Sequence, residues 1–187
     1  MTVRLTLVCA AVGSTAGIFG ERPQGSRAPY SATMAGASPT LHSSPFRAPS
    51  SRCATTADEL GLKATPEPAL RDFDYGEWGG CRIDEIAATN PYGFSAWLTD
   101  PDATPHGGES VRQLCRRTAT WLEDLPEDEE DALAITEPGV IRATILHVLS
   151  VPATAFWHLK VPPLSTVTVT SCAGRWDVEF NGSGISL

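Results

Sequence analysis

Cysteine and histidine are the usual side chains for nucleophilic or metal chemistry, and in this chain their arrangement suits neither. Cys9, Cys53, Cys81, Cys115 and Cys172 are scattered, odd in number and contain no Cys-x-x-Cys pair. That pattern fits free thiols in a reducing compartment and makes neither a disulfide framework nor a zinc site. His42, His106, His147 and His158 are isolated from one another, so a surface or helix-end role is the default for each. The carboxylates are better placed. Glu137 stands between a β-type run, Ala132 to Thr136, and a helix opened by Pro138. A helix N-terminus favours a carboxylate, which makes Glu137 either a helix-capping group or a general base. Glu109, just before the clearest helix, reads as an N-terminal helix carboxylate.

The elements that must position these groups follow from hydrophobic period and turn residues. Residues 3–9 form an apolar run that reads as a buried opening strand. It is too short, and carries too little positive charge ahead of it, for a signal peptide, and bulky Val8 before Cys9 argues against lipidation. Residues 10–40 are rich in Gly, Ala, Ser and Pro and read as a long loop with a weak helix at 31–37. A short strand follows at 40–44, then a helix over 55–62 ending at Gly61. Residues 69–80 are an extended segment and turn anchored by Phe73, Tyr75 and Trp78. Short helices are expected at 83–89 and 93–99. Val111, Leu114, Cys115, Thr118, Leu122 and Leu125 line one face of the clearest helix. A strand at 132–136, a helix from Pro138 to about 149, a short helix at 153–159, a strand at 165–171 and an edge strand at 175–180 complete the order. The tail, 181–187, should fray.

Strands alternating with helices indicate a three-layer α/β/α sandwich with a mainly parallel central sheet. At 187 residues and 42% hydrophobic, the chain makes a single domain, 1–187, with a full core. The net charge is −8, and much of it lies between Glu123 and Asp131, read as a solvated helix end and loop. Without a basic stripe, nucleic acid is not an expected partner. No segment approaches the length of a membrane span, and a soluble, cytoplasmic protein is expected. Trp78, Trp97, Trp121, Trp157 and Trp176 are assigned to the core.

Six segments in order resemble the histidine phosphatase (phosphoglycerate mutase-like) superfamily. Leu5-Thr6-Leu7-Val8 resembles the strand leading to its Arg-His-Gly motif. Pro49-Ser50-Ser51-Arg52-Cys53-Ala54-Thr55-Thr56-Ala57 resembles its Pro-x-x-Arg-Ala-x-x-Thr-Ala motif. Leu70-Arg71-Asp72-Phe73-Asp74-Tyr75-Gly76-Glu77-Trp78-Gly79-Gly80 is similar to Leu-x-Glu-x-x-Phe-Gly-x-Trp-Glu-Gly. Gly107-Gly108-Glu109-Ser110 matches Gly-Gly-Glu-Ser, Thr136-Glu137-Pro138-Gly139-Val140-Ile141-Arg142 resembles Thr-His-Gly-Gly-Val-Ile-Arg, and Val161-Pro162-Pro163-Leu164-Ser165 resembles the entry to the next strand.

The resemblance implies a phosphoglycerate mutase-like fold and a departure in chemistry. The family's phosphate-binding arginine and phosphorylated histidine fall on Cys9 and Ala10, and its second histidine falls on Glu137. An alanine methyl is not a nucleophile, and a carboxylate repels a phosphate dianion. Cys9 as a replacement nucleophile lacks a loop of backbone donors nearby in sequence. Arg52 aligns with the second phosphate-binding arginine and is expected either to clamp a planar anion or to form a salt bridge with Glu137 that fills the site. Asp72 takes the place of the acid/base glutamate, with a surface loop aspartate as the alternative. Arg142 is expected in a structural ion pair, and His106 near the pocket mouth.

Expected catalytic residues are therefore Glu137 and Asp72, with Arg52, Cys9, Ala10, Glu109, His106 and Arg142 around the ligand, and with no metal and no cofactor. The leading expectation is an acid/base enzyme of isomerase, cyclase or lyase type, acting in a biosynthetic pathway on a small polar, carboxylate-bearing substrate. Alternatives are a non-catalytic pseudophosphatase that binds a ligand or partner protein, and a residual phosphatase with another nucleophile. A small molecule is the expected partner, with homodimer formation left open.

Overall fold

The computed structural model describes residues 2–11, 17–20, 45–126, 131–172 and 175–181. The expected helix at 31–37, the strand at 40–44, residues 127–130 of the acidic run and the tail from 182 lie outside these residues.

The opening apolar run forms β1 (Thr2–Cys9), the centre of a six-stranded sheet. Its neighbours are β2 (Phe46–Arg47), β3 (Thr65–Pro66), β4 (Ala132–Thr136), β5 (Thr166–Cys172) and β6 (Arg175–Asn181), in the spatial order β3-β2-β4-β1-β5-β6. β1 runs parallel to β4 with Leu5 opposite Ala132 and Cys9 opposite Thr136. β2 runs parallel to both β3 and β4. The pairings of β5 with β1 and with β6 are antiparallel. The sheet is thus mixed, parallel on one side of β1 and antiparallel on the other. Parallel strands need crossover helices on their faces, and all five residues of β4 are buried accordingly.

The helices are α1 (Ser51–Glu59), α2 (Ile83–Thr89), α3 (Pro91–Thr99), α4 (Val111–Glu123) and α5 (Pro138–Val148), of which α1 and α5 pack against the strands and α4 packs against α5. α1 starts four residues before the expected 55. The Ser50 hydroxyl accepts the Cys53 N–H and supplies the missing cap. Short 3₁₀ turns at Pro68–Leu70 and Gly76–Trp78 flank the non-helical segment 71–75, and the short helix expected at 153–159 is a 3₁₀ helix, Ala153–His158. α4 is capped by Ser110, whose side chain accepts the Gln113 N–H while the Gln113 side chain accepts the Ser110 N–H. Leu5, Leu7, Ile135, Ile141, Ile145 and Phe156 form the fully buried centre of the core.

Two loops lock against each other beside the sheet. The Glu77 N–H donates to the His106 carbonyl at 2.9 Å, and the Glu109 N–H donates to the Asp74 carbonyl at 2.7 Å. A Cβ on Gly76 or Gly108 would collide with the opposite backbone, so this contact between loops demands glycine at both positions. Among the described residues, no helix is long and apolar enough to cross a membrane.

Candidate active site

β1 and β4 are parallel, and their carboxyl ends close on each other where the Ala10 N–H donates to the Thr136 carbonyl at 2.9 Å. In open α/β sheets ligands bind in the crevice outside such ends. Here Glu137 is the N-cap residue of α5 and is 1% exposed, yet its side chain makes no capping bond. It turns instead toward α1. Arg52 donates from Nη2 to Glu137 Oε2 and from Nε to Oε1 at 3.4 Å. The Ser50 hydroxyl donates to Oε1 at 2.8 Å, and the Cys53 thiol lies 3.6 Å from the same oxygen. Glu137 and Arg52 therefore form the ion pair that stood as one of the two readings of Arg52.

Asp72 lies in the loop between the first two 3₁₀ turns and is half-buried there. The Tyr75 hydroxyl donates to its Oδ2 at 3.2 Å, and Gly139 at the start of α5 faces its Oδ1. Burial, and then the nearby Glu137 carboxylate, push the Asp72 pKa up to about 7, against the opposing pull of the Phe73 N–H, Arg52 and Tyr75. The same burial, with Asp72 alongside, holds the Tyr75 phenol well above its ordinary value.

Two adjoining cavities meet at Asp72. One, of about 360 Å³, is lined by Ser50, Glu137, Arg71 and Asp74 among others. The second, of about 290 Å³, is lined by Arg52, Arg142 and a set of aromatic rings. Arg142 was expected in a structural ion pair. It donates from Nε to the Leu159 carbonyl at 2.8 Å, and its guanidinium carbon lies 5.6 and 5.5 Å from the ring centres of Phe156 and Trp157. The helix places it beside the aromatic cluster, where carbonyl and π-face partners replace a carboxylate.

The other expected ligand contacts lie elsewhere. Cys9 is fully buried and Ala10 is nearly so, and neither lines the two cavities. Burial, and then Glu137, push the Cys9 thiol up to about 12, so it is not a thiolate near neutrality. His106 is fully buried instead of standing at a pocket mouth. Its ring packs 5.1 Å from Trp78, its Nδ1 accepts the Gly108 N–H at 2.9 Å, and burial lowers its pKa.

Glu109 is not a helix-end carboxylate facing a ligand. It binds Arg117 through both oxygens, at 2.9 and 2.8 Å. Arg117, which no sequence pattern singled out, also donates to the carbonyls of Ala69, Arg71 and Asp72 at 2.5, 3.1 and 3.4 Å. The pair thereby fixes the segment that carries Asp72. Its only signal in the sequence is an arginine on the α4 face two turns after Glu109. Among the described residues, no group of three or more His, Cys, Asp or Glu side chains is placed to hold a metal ion.

A phosphoglycerate mutase-like α/β fold with an arginine and two carboxylates at its strand ends defines the class. Solved structures share that fold. An Escherichia coli protein described as an α-ribazole-5′-P phosphatase superposes with a TM-score of 0.77 at 19% identity, covering 99% of this chain and 98% of its own. Bacillus stearothermophilus YhfR gives 0.78 at 19% identity, covering 96% of each chain. Residues 32–182 match the histidine phosphatase superfamily (branch 1), and the chain belongs to that superfamily.

Among curated relatives, the adenosylcobalamin/α-ribazole phosphatase of Salmonella typhimurium is 26% identical over 110 residues, covering 57% of this chain and 54% of its own length. Phosphoserine phosphatase 1 of Hydrogenobacter thermophilus is 23% identical over 120 residues, 63% of this chain and 57% of its own. A bifunctional protein of Mycobacterium tuberculosis is 34% identical over 134 residues, 72% of this chain and 36% of its own. The chain spans about half the length of the first two relatives. These named activities correct the leading expectation from sequence: the first two relatives are phosphatases, and the isomerase, cyclase or lyase reading falls.

Proposed function

We propose that this chain is a phosphatase of its superfamily that acts on phosphate monoesters without a phosphohistidine. In this reading the two motif histidines are replaced by Ala10 and by Glu137, and Cys9 stands in the place of the first phosphate-binding arginine; no histidine precedes His42 in the chain. The observation that carries the proposal is the position of Asp72, at the meeting of two cavities with Arg52 and Arg142 on one of them, with its proton held near neutral pH. Arg52 and Arg142 supply positive charge for the phosphoryl oxygens. Water attacks phosphorus and gives its proton to Glu137. The ester P–O bond breaks as Asp72 donates its proton to the departing oxygen. The products are the alcohol and inorganic phosphate, and the proton on Glu137 returns through solvent to Asp72. Two ionised carboxylates would repel the dianion, so the reaction requires Asp72 in its protonated form.

The test is phosphate release from 4-nitrophenyl phosphate between pH 5 and 9. Release well above background below pH 7, falling above it and lost in Asp72→Asn, supports the reading. No release from the wild-type protein overturns it. One observation favours a second reading, a non-catalytic anion-binding domain: Glu137 already occupies the guanidinium face of Arg52. That reading expects oxyanion binding without turnover.

A further inference from the structure

The cavity on the Arg142 side of Asp72 is walled unlike a site for phosphate alone. Phe19, Phe73, Phe94, Trp97 and Trp157 surround it. Their rings pack against one another, with Trp97 and Trp157 at 4.4 Å and Phe19 and Trp97 at 5.6 Å between centres. Rings fixed in this way leave the cavity little freedom to collapse. Ile83 and Leu98 also line it, and each remains 38% exposed. Such side chains lose favourable burial unless something covers them. Among the described residues, the cations on this cavity are Arg52 and Arg142, and Arg142 lies beside the Trp157 ring.

We propose that this cavity seats the organic group of the substrate and selects a flat one- or two-ring aromatic group, with Arg142 holding the phosphoryl oxygens from the apolar side. The inference rests on the phosphatase reading for the identity of the anion. A cavity of about 150 Å³ is enough for benzene, and this one measures about 290 Å³, which fits one or two fused rings and their attachment. The ester oxygen of a ligand so placed lies at the junction where Asp72 stands. Ring faces against ring edges and a guanidinium over the aromatic plane are the attractions available to an aryl group, and an alkyl phosphate makes neither.

Phenylphosphonate and methylphosphonate, which cannot be hydrolysed, separate the two ideas when titrated by calorimetry into the wild-type protein. Phenylphosphonate should bind about tenfold or more tightly, and Leu98→Gln, at an exposed position, should reduce that preference severalfold. Arg142→Gln should weaken both ligands. Equal affinities, or binding of neither, overturn the inference. If phenylphosphonate is preferred while aryl phosphates are not hydrolysed, the aromatic site stands and the phosphatase reading fails. If phenyl and methyl phosphate are hydrolysed with equal kcat/KM, the phosphatase reading stands and the aromatic site fails.

Discussion

Arg52 grips both oxygens of Glu137 across the carboxyl ends of the strands, so the cation best placed for an oxyanion already holds one supplied by the chain itself. A ligand must displace that carboxylate or share the guanidinium with it. Glu137→Gln keeps the shape and removes the competing charge. Inorganic phosphate should then bind about tenfold more tightly than to the wild type, measured by calorimetry at fixed ionic strength. Turnover should fall in the same variant, because an amide cannot accept the proton of water. Unchanged phosphate affinity would show that the pair does not guard the site.

Asp72 gives a pH dependence with a definite sign. Its folded pKa of about 7 lies above the ordinary value of 3.8. Between these values the folded state holds a proton that the unfolded state has lost, so stability is greatest below the lower value and declines as pH rises toward 7. Above 7 the buried charge remains as a constant cost. Asp72→Asn removes it, and the variant should be more stable than wild type at pH 8 by on the order of 1–3 kcal/mol. The difference should vanish near pH 4, as measured by urea unfolding at both values.

Cys9 offers a check on whether a thiol could take the nucleophile's part. It is fully buried and its pKa is pushed up to about 12, by burial first and then by Glu137. Cys172 is exposed. Alkylation of the native protein by iodoacetamide at pH 8, followed by peptide mapping, should label Cys172 within minutes and leave Cys9 unmodified until denaturant is added. Rapid native labelling of Cys9 would return it to the list of nucleophiles.

Much of the fold was legible because its signals are local. The apolar run of β1, the single apolar face of α4 and the Pro138 start of α5 depend on period and capping, and each lies within two residues of its expected place. The ordered motifs also brought Arg52, Asp72 and Glu137 to one site. What the sequence concealed depends on contacts between distant segments. His106 beside Gly107 looked accessible, but the loop interlock at Gly76 and Gly108 buries it against Trp78. Arg142 looked like an ion-pair residue, and only the approach of Leu159 and Trp157 gave it other partners. The mixed character of the sheet depends on β5, whose alternating Val and Thr residues fit either direction of pairing.

Arg117 was equally hidden, and it yields the strongest test of how Asp72 is held. Its guanidinium spends its donors on Glu109 and on the carbonyls of Ala69, Arg71 and Asp72, with only 15% of its side chain exposed. Arg117→Met removes these bonds and leaves the buried Glu109 carboxylate with only the longer contact to Arg71, at 3.5 Å. Breaking one partner of a buried pair costs about 3–5 kcal/mol, and the partial exposure here places the expected loss near the lower end. The double variant Arg117→Met with Glu109→Leu should recover part of that stability, because no charge is then left unpaired. Activity should not recover with it. Without Arg117 the carbonyls before and at Asp72 lose their anchor, so the acid is no longer held at the junction of the cavities. The expected result is a fall in kcat of about tenfold or more with KM changed little, in the single and the double variant alike. Recovery of kcat alongside stability in the double variant would reduce Arg117 to a support of the fold alone.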